Sequence, residues 1–353
     1  MAEDQAITVA SLQSITVSGL TDEAAKGLAF RVAALVGELT GIDRPRPLDL
    51  RRMKRMVFAA DYAAALEDEV GDSGRRVAPT REDYAVGVAK VIVLRLDGSD
   101  FEIVPVFDVN TFAVLGDNYE EMEQERKDWF HRILHMLHHE LCHVHDDNKK
   151  IDAMPAATLG KVWAGAETII GPLAEVAWSE YFANRVSCIT ASDAVIDETV
   201  EMFKDALLRT KPTMNDHIIA YRRNSDLDGL MALFKRHGDF LVKAAAYALG
   251  YLDGIGKTLE EVSGEAHQVL MASDFRPFWH RMHTELKAMF DKHPAGWDDS
   301  LAIYSQLSEV MQDFYDDMGL VLQSQPDGGL YVNIPFRPEN STPEMLIWAA
   351  GNG

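Results

Sequence analysis

The chain has 353 residues, 47% of them apolar, enough to bury the core of one large domain or two ordinary ones, which excludes a disordered chain. Lys and Arg total 34 against 56 Asp and Glu, a net charge of −22, so a nucleic-acid backbone is repelled everywhere except at a local basic patch. With only Cys142 and Cys188, no secretory leader in "MAEDQAITVA" and no apolar run near the ~20 residues of a spanning helix, a cytoplasmic protein is expected, without a disulfide framework or membrane segment.

Residues 6–18 are short and β-branched and read as a strand, after which Thr21 and Asp22 cap a helix that Gly41 stops after Thr40. The basic stretch "RPRPLDLRRMKRM" carries Arg44, Arg46, Arg51, Arg52, Lys54 and Arg55 and is read as a solvated helix face. It opens an amphipathic helix expected over 48–69, with Leu48, Met53, Met56, Val57, Tyr62 and Leu66 inward. Then "VAKVIVLRL" and "FEIVPVF" form a hairpin around Asp97-Gly98, with "TFAVL" a possible third strand. Pro105 cannot donate to a ladder, so the second run is expected to have an unpaired side.

From Tyr119 to Asp146 the period is helical, with Phe130, Ile133, Leu134, Leu137, Leu141 and Val144 on one stripe. A helix from about 173 to 190 is expected to start at Gly171-Pro172. Residues 197–317 are mostly helical in period, and "LVLQSQPDGGLYVNIPF" reads as a closing hairpin. "GYLDGIGKT" misses the phosphate-loop spacing by one residue and reads as a helix end with a glycine-rich turn.

The chemistry concentrates in "HMLHHELCHVHDD", residues 135–147, with five histidines. His139 and His143 frame H-E-x-x-H, and four residues advance a helix by ~400°, so both imidazoles lie on one face and can hold one ion. Glu140, ~100° away, stands beside such an ion as a general base toward water. His131, His138 and His145 are assigned to the polar face, and His135 is given no firm role. The stripe of Ile133, Leu137, Leu141 and Val144 lies roughly 135° from the two ligands, so another element must cover the ligand face. In "AEVAWSEYFANRVSC", Glu180 shares its helix face with Leu173, Val176, Ala177, Asn184 and Ser187. A carboxylate so placed is expensive unless paired or metal-bound, which makes Glu180 the third-ligand candidate, with Asn184 as a possible orienting group.

"HELCH" followed by "EYFANR" resembles the zincin metallopeptidases with a glutamate third ligand, the gluzincins, and looks most like the ImmA/IrrE type. That resemblance covers residues 119–190 well and implies zinc on His139, His143 and Glu180, with Glu140 as base. The metzincin extension is absent, since Asp146 and Lys149 stand where it needs glycine and histidine. The expectation is thus an α+β protein: a zincin-like core over 1–195, with a small antiparallel sheet and an active-site helix, and a mainly helical region over 196–353. The expected function is a zinc-dependent metallopeptidase acting on a protein or peptide, with no nucleic-acid or membrane partner. The alternative is a non-catalytic regulatory protein on the same scaffold. Tyr247, Tyr251, His217, His237 and His267 are available to stabilise an oxyanion, although ordinary packing is the simpler role for each.

Overall fold

The computed structural model describes residues 12–41, 47–71, 81–82, 85–96, 100–154, 159–160 and 163–352. Residues 6–11, Arg44, Arg46 and the Asp97-Gly98 turn lie outside the described residues. The protein is α+β. It forms two compact units, residues 1–156 with 182–195, and residues 157–181 with 196–353.

In the first unit, β1 (Ser14–Val17), β2 (Arg55–Ala59), β5 (Ala89–Arg95) and β6 (Phe101–Asp108) build one sheet in the order β1-β2-β6-β5. The two short runs β3 (Arg81–Glu82) and β4 (Ala85–Val86) pair separately. The main sheet is mixed rather than antiparallel: β1-β2 and β2-β6 are parallel, and only the β5-β6 hairpin is antiparallel. Helix α1 (Asp22–Thr40) is capped at Thr21, whose hydroxyl accepts from the Ala24 amide, and ends before Gly41, as its sequence signals predict.

Four further expectations fail in this unit. The segment 48–69 is not one helix; it holds the strand β2 and then helix α2 (Tyr62–Val70), which Asp61 caps. Leu48, Met53, Met56, Val57, Tyr62 and Leu66 are all buried as expected, but an inner parallel strand is covered on both faces, so its apolar run mimics a helical stripe. The basic stretch is accordingly no helix face: Arg52 reaches Asp152 at 2.8 Å, and Arg55 bonds Glu69 at 2.5 Å and Glu102 at 3.1 Å.

Strand β6 has neighbours on both sides, so Pro105 does not mark an edge. The Ile103 amide donates to Arg52 O and the Asp108 amide to Val88 O, so odd-numbered amides face β2 and even-numbered ones β5. The ring nitrogen of Pro105 therefore faces β2, just before that pairing begins at Val106, and one missing donor is all it costs. "TFAVL" is helical, in α3 (Val109–Phe112) and the tight turn Ala113–Gly116, started by the Asp108 carboxylate accepting from the Asn110 amide. Phe58, Phe107 and Phe112 pack at 4.7–6.0 Å between ring centroids in the core beneath.

Helix α4 (Gln124–Ala153) lies against β5, β6 and the Ala113–Gly116 turn. Ile133, Leu137, Leu141 and Val144 are fully buried, so the stripe lies where the period predicts. Its C-terminal half is tied to the segment before β2. The Asn148 amide donates to Asp49 O, and Lys149 reaches the Asp49 carboxylate at 2.7 Å. Burial would raise the Asp49 carboxyl, but Lys149 and the Arg51 amide outweigh it and hold it below its ordinary value.

Helix α5 (Glu167–Ser187) is one unbroken helix whose last turns belong to the first unit and whose earlier turns belong to the second. It starts six residues before the expected 173, and Pro172 sits inside its first two turns. A proline at that position, the sixth residue of the helix, removes one intrahelical bond, the one its amide would give to Thr168 O. The second unit continues with α6 (Asp193–Asn224), α7 (Leu227–Phe234), a π-type turn over 235–239, α8 (Phe240–Ile255), α9 (Leu259–Val262), α10 (Gly264–Met271), α11 (Arg276–Lys292) and α12 (Ser305–Asp317). The closing hairpin is β7 (Val321–Ser324) with β8 (Leu330–Asn333), followed by α13 (Pro343–Asn352). The phosphate-loop near miss is the end of α8, where Gly256 adopts a left-handed φ of 69°. Among the described residues no helix is long and apolar enough to cross a membrane.

Candidate metal centre

One helix carries all five histidines of residues 135–147, and its surroundings sort them. His139 and His143 are partly exposed and one turn apart, and their Nε2 atoms face each other at 3.0 Å. Two nitrogens bound to one tetrahedral zinc at the usual ~2.05 Å would stand ~3.3 Å apart. The pair is thus already spaced for a shared ion.

Glu180 completes the group: one ligand atom from each of His139, His143 and Glu180 lies within 4.8 Å of the others. Its placement follows from α5. Phe182, two residues further on, stacks parallel on the His145 ring at 5.8 Å, and residues 183, 184 and 187 are buried in the first unit. Glu180 is 9% exposed, and Lys243 on α8 reaches its Oε1 at 3.0 Å. Burial opposes the Lys243 charge, but Glu180 and Tyr247 outweigh it and hold the ammonium well above its ordinary pKa. Two imidazoles and a carboxylate are a donor set that suits zinc, so the residues present fit the expected ion.

His138 was expected on the polar face, yet it is 2% exposed, and His135 is 3% exposed. Both Nδ1 atoms meet the Thr190 hydroxyl, at 2.9 Å and 3.0 Å, and that hydroxyl donates to Ser187 O. The hydroxyl proton is committed to Ser187, so its oxygen accepts from both imidazoles. Burial, with the neighbouring His139 and His138, pushes His135 down to about 3 and keeps it neutral. His145 is not a polar-face residue either; its Nδ1 accepts the Asp49 amide at 2.7 Å. His131 is exposed as expected and meets the Tyr119 hydroxyl at 3.1 Å. Cys142, inside the motif, is fully buried and no ligand; burial with nearby Cys188 raises its thiol well above the usual range.

Glu140 follows His139 on the less buried side of α4. Its charge, with that of Asp108, adds to burial in pushing the Tyr62 phenol above its ordinary range, so Tyr62 stays protonated. Sequence reasoning treated Tyr62 as core and passed over Lys243 entirely; one alkyl-stemmed cation in "LVKAAAYALG" gives no periodic signal of its own. The oxyanion candidates of the second unit have other partners: Tyr247 lies by Lys243, His217 stacks on His237 at 5.9 Å, and His267 faces Glu260 at 3.8 Å.

Comparison with family models, with curated proteins and with solved structures returned no match.

Proposed function

We propose that the protein is a zinc-dependent metallopeptidase, with His139, His143 and Glu180 as ligands and Glu140 as general base. The observation that carries this reading is the convergence of two imidazole Nε2 atoms 3.0 Å apart with a buried carboxylate, next to a second carboxylate on the same helix. A zinc ion held there supplies Lewis acidity toward water and toward a carbonyl oxygen.

The chain's own groups do the rest. Glu140 takes the proton of the attacking water and hands it to the leaving amine as the peptide bond breaks. Tyr62, protonated and under the influence of Glu140, offers a hydroxyl donor toward developing negative charge. An extended substrate pairs with β5 rather than β6, because β5 is the sheet edge among the described residues and packs with β6 against α4.

The test is zinc content and peptide hydrolysis of the purified protein and its Glu140→Gln variant. About one zinc per chain in both, with a loss of hydrolysis of ~10³-fold in the variant, supports the reading. Equal hydrolysis by both proteins rules out Glu140 as base. Zinc without hydrolysis in the unmodified protein favours the non-catalytic scaffold instead.

A further inference from the structure

Glu180 and its successor Tyr181 are each fixed by a different end of one helix. Lys243, in the first turn of α8, bonds Glu180 Oε1 at 3.0 Å. Asp253, near the end of α8, accepts the Tyr181 hydroxyl and also meets His283 Nε2 of α11 at 2.8 Å. The two anchors stand ten residues apart, ~15 Å along the helix axis. Neighbouring side chains held at points so far apart leave α5 little freedom to roll, so the direction of the Glu180 carboxylate is set from α8.

A carboxylate has two oxygens and can bind an ion through one or both. The Lys243 side chain is 23% exposed, its Nζ is 5.4 Å from the centre of the Tyr247 ring, and the Glu180 side chain is 12% exposed. Breaking such a pair strands a mostly buried charge, which costs several kcal/mol. Oε1 is therefore held by the ammonium, and a metal would meet the carboxylate through the other oxygen.

We propose that Lys243 is a positioning residue that restricts Glu180 to one-oxygen coordination and so keeps a coordination position open for water and substrate. The inference rests on the zinc reading above. Without the ammonium, both carboxylate oxygens would be open to the ion, and a bound ion would gain one ligand atom. The remaining position is then crowded although every ligand is intact.

Cobalt(II) in place of zinc reports this directly, because its visible bands weaken as coordination rises from four to five. The full-length protein and its Lys243→Met and Lys243→Arg variants are loaded with cobalt and titrated with azide, a small anion that takes an open position. Lys243→Met should show clearly weaker bands and an azide dissociation constant raised about 10-fold, the low end of the effect of losing an outer partner of a metal ligand. Lys243→Arg keeps a cation on the carboxylate and should retain the wild-type spectrum. Far-UV circular dichroism checks folding, and Lys243→Gln replaces the methionine variant if that one does not fold. Wild-type bands and azide affinity in the folded neutral variant overturn the assignment, as does a Lys243→Arg protein as altered as Lys243→Met. A wild-type chain that gives no visible cobalt spectrum overturns the zinc reading itself, and that result is read on the unmodified protein.

Discussion

Two pairs of histidines on one helix have opposite fates. His139 and His143 turn their Nε2 atoms toward each other beside Glu180, whereas His135 and His138 turn Nδ1 to a single threonine hydroxyl and are almost fully buried. Residue type and helix are the same; the covering element differs. Where the Cys188–Thr190 turn covers α4, the Thr190 hydroxyl meets both rings, and burial keeps His135 neutral. Where Glu180 stands, its carboxylate, also paired with Lys243, joins two ring nitrogens in a group that could hold a metal ion. A histidine-rich helix is thus two sites, one structural and one suited to an ion.

The comparison breaks most visibly at the ligands. His139→Ala or His143→Ala should lower zinc affinity on the order of 10³-fold or more, read by competition with a chromophoric chelator. His138→Ala should leave affinity nearly unchanged, and a large loss there would erase the distinction between the pairs. Next in size is Thr190→Val, which removes the hydroxyl that both buried imidazoles meet and should cost about 3 kcal/mol in denaturant unfolding while zinc binding holds. The smallest effect is one of pH. His135 stays neutral in the fold down to about 3, whereas in an unfolded chain it titrates near 6.5. The unfolded chain therefore takes up the extra proton, and stability falls as pH drops from about 6.5 toward 3. Between pH 7 and 5 this amounts to about 2 kcal/mol, so the stability gap between wild type and His135→Asn should narrow by that much. A gap independent of pH would mean that His135 takes up its proton in the fold as readily as in the unfolded chain.

Much of this was legible in the chain, and two of the failures share a cause. Helix α1, the β5-β6 hairpin, α4 with its apolar stripe and the closing hairpin follow from local signals: caps, turn residues and a period. The errors at β2 and Pro105 lie where a neighbour out of sequence overrides the local signal, whereas "TFAVL" turns helical at the local Asp108 cap and α5 runs on through Pro172. Met56, Val57, Phe58 and Ala59 form a strand because β1 and β6 flank them, and nothing within residues 48–69 announces those partners. The three candidate ligands were readable because two share a helix face and the third is a carboxylate on an otherwise small or apolar one.

Alone, the sequence determined that His139, Glu140 and His143 share one helix and that Glu180 stands on another, because helical spacing is a local property. Tertiary structure decided which histidines are buried, that the core sheet is mixed with β5 at its edge, and that Lys243 meets Glu180. Those outcomes depend on which surfaces cover α4 and α5. Burial and ion pairing act between residues far apart in the chain, where no period in the sequence can record them.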